Sequence, residues 1–265
     1  MQVAAGLAKD IYVDGVQPPV KVLGETLAGI LRAITHYPRF WGQISEISLE
    51  EKTERFRSNL LLKTEAIPQE NRVVSLPHII GPAIQALEYG IFEDHLSDMF
   101  ASLIASSMDN RLSSTVHPSF VEIIKQITSD EAKVVRLLGD IGGGLQPICG
   151  VNRKVTDSGS YNDIIKKYHR LCAMASCDNL ENFREVIENL DRLEIVEVSL
   201  GGLGVEISDK SFYEPLLLDL ENKHNIVIGR QSQGGEVGSY YAELGVVYIS
   251  AFGLQFYKAC VKQHG

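Results

Sequence analysis

The chain has 265 residues, 45% of them hydrophobic and 22% charged, with a formal net charge of −9 at pH 7. That length can bury a core without disulfide or metal staples, as one large or two modest domains. The acidic balance disfavours non-specific attraction to nucleic acid or anionic lipid as the mode of action. No stretch of about 18 consecutive apolar residues occurs, so no transmembrane segment is expected. The opening MQVAAGLAKD has no basic region ahead of a long apolar run, which argues against a signal peptide.

Ala4 to Val16 can form a short helix, ended by Gly15 and the Pro18-Pro19 pair. Val20 to Ile34 is amphipathic and reads as a core-facing helix, with a membrane-surface role as the alternative. Pro38 and Gly42 break the pattern near Trp41. The spacing then predicts a helix from about Ser48 to Thr64, opened by a Ser48–Glu51 capping box. Pro82 suits the first position of the next helix, with Ile84, Leu87 and Ile91 inward.

Leu96, Met99, Phe100, Leu103, Ile104 and Met108 recur on one helical face, with the small residues Ala101, Ala105, Ser106 and Ser107 leaving room for a close neighbour. Asp109 to Thr115 is a polar break. Pro118 starts another helix with Phe120, Ile123, Ile124 and Ile127 inward, and Thr128 to Glu131 reads as a capping box for a third, through Leu138.

The three glycines Gly142 to Gly144, with Pro147, mark a linker. Beyond it, Ile164, Ile165, Tyr168, Leu171 and Cys172 suggest one helix. Phe183, Val186, Ile187, Leu190 and Leu193 suggest another, capped by Asp178 or Asn179. Strand-like runs follow at Ile195–Val198, Val205–Ser208, Asn225–Ile228 and Val246–Ser250, then a last helix at Leu254–Lys262. Gly201-Gly202 and Gln231 to Ser239 read as loops.

That order, helix, helix, strand, insertion, strand, helix, is that of a winged-helix module. The expected architecture is therefore mainly α. It comprises a helical domain over 1–141, a Gly-rich linker over 142–150, and a winged-helix-like α+β domain over 151–265 with an insertion in the wing. The helix ahead of the wing, Asn182 to Leu193, carries Arg184 and Arg192 against Glu185, Glu188 and Asp191. From Glu181 to Glu221, eleven acids against three bases leave a local balance of −8. Phosphate neutralisation supplies most DNA affinity, so this module is expected to contact protein or to self-associate rather than to bind nucleic acid.

The phrases IPQENRVVSLPHIIGPAIQALEYG, DMFASLIASSMDNR and VHPSFVEIIKQITSDEAK, spanning Ile67 to Lys133, resemble the bacterial Abi-alpha family, named for abortive infection. AKDIYVDGVQPPVKVLGETL near the start, and NLDRLEIVEV and ISAFGLQFYKACV near the end, are similar to the family's opening and ending. The resemblance implies a role in bacterial antiphage defence. It brings no catalytic residues with it.

One chemistry is conceivable in the break. Arg111 and His117 frame a five-residue gap, a spacing similar to that of helical HEPN-type ribonucleases. His117 would act as general acid or base on a ribose hydroxyl, Arg111 would clamp the phosphoryl charge, and Asp109 or Asn110 would orient the pair. The alternative is that His117 caps the helix begun at Pro118 and Arg111 lies on the surface. Glu206 with Glu221 to Lys223 is a poor match to a metal-dependent nuclease. No G-K-[ST] phosphate loop, H-E-x-x-H pair or nucleophile elbow around Ser232 is present. Cys149, Cys172, Cys177 and Cys260 contain no C-x-x-C pair and read as reduced, buried thiols of a cytoplasmic protein. His169 with Cys172 and Cys177 matches no common zinc spacing, so neither metal nor cofactor is expected. The expected function is thus antiphage defence through protein contacts, without catalysis. An Arg111–His117 ribonuclease and a peripheral membrane effector are the alternatives.

Overall fold

The computed structural model describes residues 28–30, 32, 46–74, 77–157, 159–201, 209–229 and 236–262. The expected Ala4–Val16 helix, the Trp41 break and the Val205–Ser208 strand lie outside them. Of the Val20–Ile34 helix, residues 28–30 and 32 are described and are helical. The described residues form two compact units, one running up to Ser129 and resuming at Gln255, the other spanning Asp130–Leu254.

In the first unit, helix α1 covers Glu46–Glu65, α2 Pro77–Gly90, α3 Asp94–Ser107 and α4 Ser119–Ile124. The helix α3 lies at its centre. All six apolar residues expected to point inward are buried, and so are Ala101, Ser102, Ala105, Ser106 and Ser107 on its other sides. The small residues serve the close approach their size allows: Ser106 Oγ donates to the Ala259 carbonyl at 2.7 Å. Phe120 of α4 meets Phe256 edge-on at 5.3 Å between ring centroids. Ser102 Oγ is buried and has no hydrogen-bond partner among the described residues. On the exposed side, Asp94 at the start of α3 accepts from Lys52 and Arg55 of α1, and the Lys52 bond leads in holding its carboxyl below the usual range. Pro82 does not open α2. That position belongs to Pro77, and Pro82 sits inside the helix, where it forgoes one backbone hydrogen bond.

In the second unit, α5 spans Ser129–Asp140, β1 Gln146–Lys154, β2 Tyr161–Tyr168, α6 Leu171–Met174, α7 Phe183–Arg192 and β3 Val196–Leu200. Then come α8 at Glu214–His224, β4 at Ile228–Gly229 and β5 at Tyr240–Ile249; α9 follows at Ala251–Cys260 and from Gln255 onward belongs to the first unit. The strands run in the order β2-β1-β5-β3, all antiparallel, with β4 added parallel to the start of β5. They make a curled half-barrel. Its inner layer joins Cys149, Val151, Tyr168 and Ala242 to Leu216, Leu217 and Leu220 of α8 and to Tyr213.

The expected mainly α chain ending in a winged-helix-like α+β domain is therefore corrected. Where a helix was expected at Ile164 to Cys172, the chain makes strand β2 and the four-residue α6. Where a linker was expected, Gln146–Gly150 is already strand. The physical cause is a pair of bulges. Cys149 pairs with Tyr168 but Val151 with Ile165, and Asn152 then pairs with Asp163, so β2 carries extra residues against β1 at both steps. Lys167 takes up one of them at φ 53°. Bulges bend and twist a strand, and here they place Ile165 and Tyr168 on one face three residues apart, which imitates a helical period. The central strand is β5, which bonds along β1 on one side and β3 on the other. A wing between two short strands has no counterpart to it.

Helix ends in this unit share one device. In α5, Gly143 N donates to Leu138 O and Gly142 N to Gly139 O, with Gly142 at φ 71°. In α7, Ile195 N donates to Leu190 O and Glu194 N to Asp191 O, with Glu194 at φ 59°. Both are Schellman caps, in which a left-handed residue turns the chain; in α7 this aims the first and sixth side chains, Leu190 and Ile195, at one another, and both are buried. The α7 cap sends the chain directly into β3. At the start of α9, Ser250 Oγ accepts from Gly253 N at 2.8 Å and donates to Glu194 O. Gly253 packs so close to this corner that a Cβ there would lie 2.0 Å from Ile195 O.

Candidate functional site

The Asp109–His117 segment belongs to the first unit. Its start is held by a short antiparallel match to the chain after α1: Val73 N donates to Met108 O, Asn110 N to Asn71 O, and Arg72 bridges to Asp109. Arg72 in turn donates to the carbonyls of Ile67 and Glu65, closing the end of α1. Asp109 is 1% exposed. Its carboxylate accepts from the Arg111 backbone N–H, from Nε, and from Nη2 at 2.6 Å. The backbone contact is an Asx turn, the local structure an Asp two residues upstream favours. Its own carbonyl accepts from Leu112 N and Ser113 N, so Asp109 organises the whole turn. The Arg111 side chain is 51% exposed, and its pairing with Asp109 raises its pKa further.

His117 stands at the mouth of α4. Its Nδ1 accepts the Ser119 N–H at 3.2 Å and lies 2.6 Å from Ser119 Oγ. That is the work of a capping acceptor at a helix N-terminus, where backbone N–H groups lack intrahelical partners. The ring is tilted toward Phe120 at 6.1 Å. The structure thus brings Asp109 and Arg111 together as a bidentate pair and gives His117 to the α4 terminus.

The second unit holds a polar cluster that the sequence did not expose. The Tyr168 hydroxyl donates to Asp219 of α8, Lys223 Nζ donates to the Tyr168 oxygen at 3.1 Å, and Lys223 sits 5.3 Å above the Tyr168 ring. Burial first, then Asp219, pushes the phenol far above its ordinary pKa, so Tyr168 acts as a proton donor in a hydrogen bond and not as a base. Asp219 and Lys223 stand four residues apart on one helix, which is legible in sequence. Tyr168, fifty-one residues earlier, reaches them only through the sheet.

His169 is next to this cluster. Its Nε2 bonds the Phe183 carbonyl at 2.7 Å and its Nδ1 accepts from Leu171 N, so both nitrogens are engaged within the fold. Burial lowers its pKa to about 4. It is a neutral structural imidazole, and among the described residues no group of three or more His, Cys, Asp and Glu side chains is placed to hold a metal ion. All four cysteines are buried free thiols. Among the described residues no helix is long and apolar enough to cross a membrane.

A family model described as abortive infection alpha matches residues 45–260. No curated protein and no solved structure matches the chain.

Proposed function

The chain belongs to the abortive infection alpha family, and from that premise we propose that it serves phage defence by docking a protein partner rather than by cutting nucleic acid. The observation that carries this reading is in the segment from Lys210 to Gly229. There α8 buries Leu216, Leu217 and Leu220 against the sheet, while Phe212, Leu218 and Val227 remain 57%, 51% and 83% exposed. Burying these three large apolar side chains against a partner would be favourable by the area removed from water. The segment begins inside the acidic stretch that ends at Glu221, and its own cations are only Lys210 and Lys223, so it offers no basic surface to phosphate.

The competing reading, a ribonuclease using Arg111 and His117, draws on the half-exposed Arg111. Against it, the Asp109 pair occupies Nε and Nη2 of that guanidinium, and the His117 Nδ1 serves α4. One experiment separates the two. Cells carrying the protein are challenged with phage, comparing wild type, Phe212→Asp/Leu218→Asp, and Arg111→Ala/His117→Ala. The docking reading expects protection to disappear in the first double variant, with unchanged circular dichroism, and to survive in the second. Retained protection with Phe212→Asp/Leu218→Asp, and RNA cleavage that vanishes with Arg111→Ala/His117→Ala, would overturn it.

A further inference from the structure

The short helix α6 ends in the same kind of cap as α5 and α7, with one chemical difference. Cys177 N donates to Cys172 O at 2.9 Å, Ser176 N to Ala173 O, and Ser176 takes the left-handed conformation at φ 54°. These are the two bonds of a Schellman motif, in which the first and sixth side chains turn toward each other, usually in an apolar contact. In α7 those positions are Leu190 and Ile195, both fully buried. In α6 they are Cys172 and Cys177, both buried, so two thiols occupy the positions that the motif turns toward each other. Cys177 also reaches the Asp130 carbonyl at 3.5 Å, while the Asp130 carboxylate accepts the Asp178 and Asn179 N–H groups and so fastens the loop to the start of α5.

We infer that Cys172 and Cys177 form a modification site: a dithiol that a low-molecular-mass disulfide converts into an intramolecular disulfide within the α6 cap. In the first step the Cys177 thiolate attacks one sulfur of the reagent, forming a mixed disulfide and expelling one thiol. In the second, the Cys172 thiolate attacks the Cys177 sulfur, the Cys172–Cys177 bond forms, and a second thiol leaves. The protein loses two protons and two electrons; the reagent gains both and departs as two thiols. The cap supplies what the second step needs, since a disulfide requires side chains aimed at each other across a short Cα separation. Cys177 is the better first site because it keeps 8% of its surface in solvent against 2% for Cys172. Ala173, Met174 and Ser176 around it are exposed. Burial raises both thiols, Cys177 to about 12, so the attacking thiolate is a minor species and conversion is slow at neutral pH and faster as the pH is raised. Cys149 and Cys260 are fully buried and belong to no such cap.

The test uses the whole folded chain incubated with glutathione disulfide, then acid-quenched, alkylated and read by intact mass and peptide mapping. The expected product is lighter by two hydrogens and yields one peptide pair joining Cys172 to Cys177. Its formation should outpace modification of Cys149 and Cys260 by on the order of tenfold or more, because access governs exchange. Cys172→Ala keeps the Cys177 bond to Asp130 and should stop at a single glutathione adduct on Cys177. Four unmodified thiols in the wild type, a wild type that stalls as a glutathione adduct, or equal consumption of Cys149 or Cys260 would each overturn the inference.

Discussion

Acidification from pH 7 to pH 5 should weaken the sheet-containing unit through one residue, His169. In the folded protein its imidazole is buried, neutral, and bonded through both nitrogens, with its pKa lowered from 6.5 to about 4 by burial. In the unfolded chain the ring takes up a proton as the pH falls through 6.5; in the folded protein it does so only near 4. The unfolded state therefore binds more protons between these values, and stability falls as the pH drops across that window. The shift corresponds to about 3 kcal/mol when the pH has reached 4, of which about 2 kcal/mol is already lost at pH 5. Asp94, Asp130 and Asp209, whose pKa values are lowered from 3.8, lose their contribution only at lower pH, so the window above about 4.5 isolates His169. The assay is urea unfolding between pH 4.5 and 7.5, followed by tyrosine signals, for wild type and His169→Asn. The asparagine oxygen can replace Nδ1 as acceptor for Leu171 N but leaves the Phe183 carbonyl without its donor, costing about 1–3 kcal/mol at pH 7. That deficit should shrink by about 2 kcal/mol on going to pH 5, as the wild type alone pays for keeping an imidazole neutral. A deficit that stays constant with pH, or a His169 resonance that titrates near 6.5, would refute the reasoning.

Four substitutions test the packing and capping arguments by shifts in unfolding midpoint. Glu194→Gly should stabilise by about 0.5–1 kcal/mol, because Glu194 holds φ 59° at the α7 cap and glycine adopts that conformation without strain. Gly253→Ala should cost about 2 kcal/mol or more, since its Cβ would lie 2.0 Å from a backbone oxygen that no rotamer can move. Ser102→Ala should be neutral or stabilising by about 1 kcal/mol, because it removes a buried hydroxyl with no partner among the described residues. Asp109→Ala should cost about 1–3 kcal/mol by stripping the carboxylate from the Arg111 backbone and side-chain donors.

The first unit was legible because its information is local. A helix buries what recurs every three to four residues, so the inward sets of α2, α3 and α4 follow from spacing alone. The Asp109–Arg111 turn and the His117 contact with Ser119 each span two residues, and both roles are those their side chains favour locally. Even here, the choice of Pro77 over Pro82 as the start of α2 was decided by packing, because Ile79 and Ile80 are buried and must lie on the helix.

The second unit depended on pairing that no window of sequence contains. β1 and β2 are defined by each other and by β5, and β5 lies nearly ninety residues beyond β1. The bulges in β2 give Ile165, Tyr168, Leu171 and Cys172 a helical spacing although they come from a strand and a separate short helix. The same long-range pairing carries Tyr168 to Asp219 and Lys223. Sequence by itself determined the helical faces, the acidic segment and the family resemblance, because each is written in neighbouring residues or in composition. Tertiary structure alone decided the half-barrel and the polar cluster on α8, because hydrogen bonds between distant strands select one register among many that local propensity leaves equal.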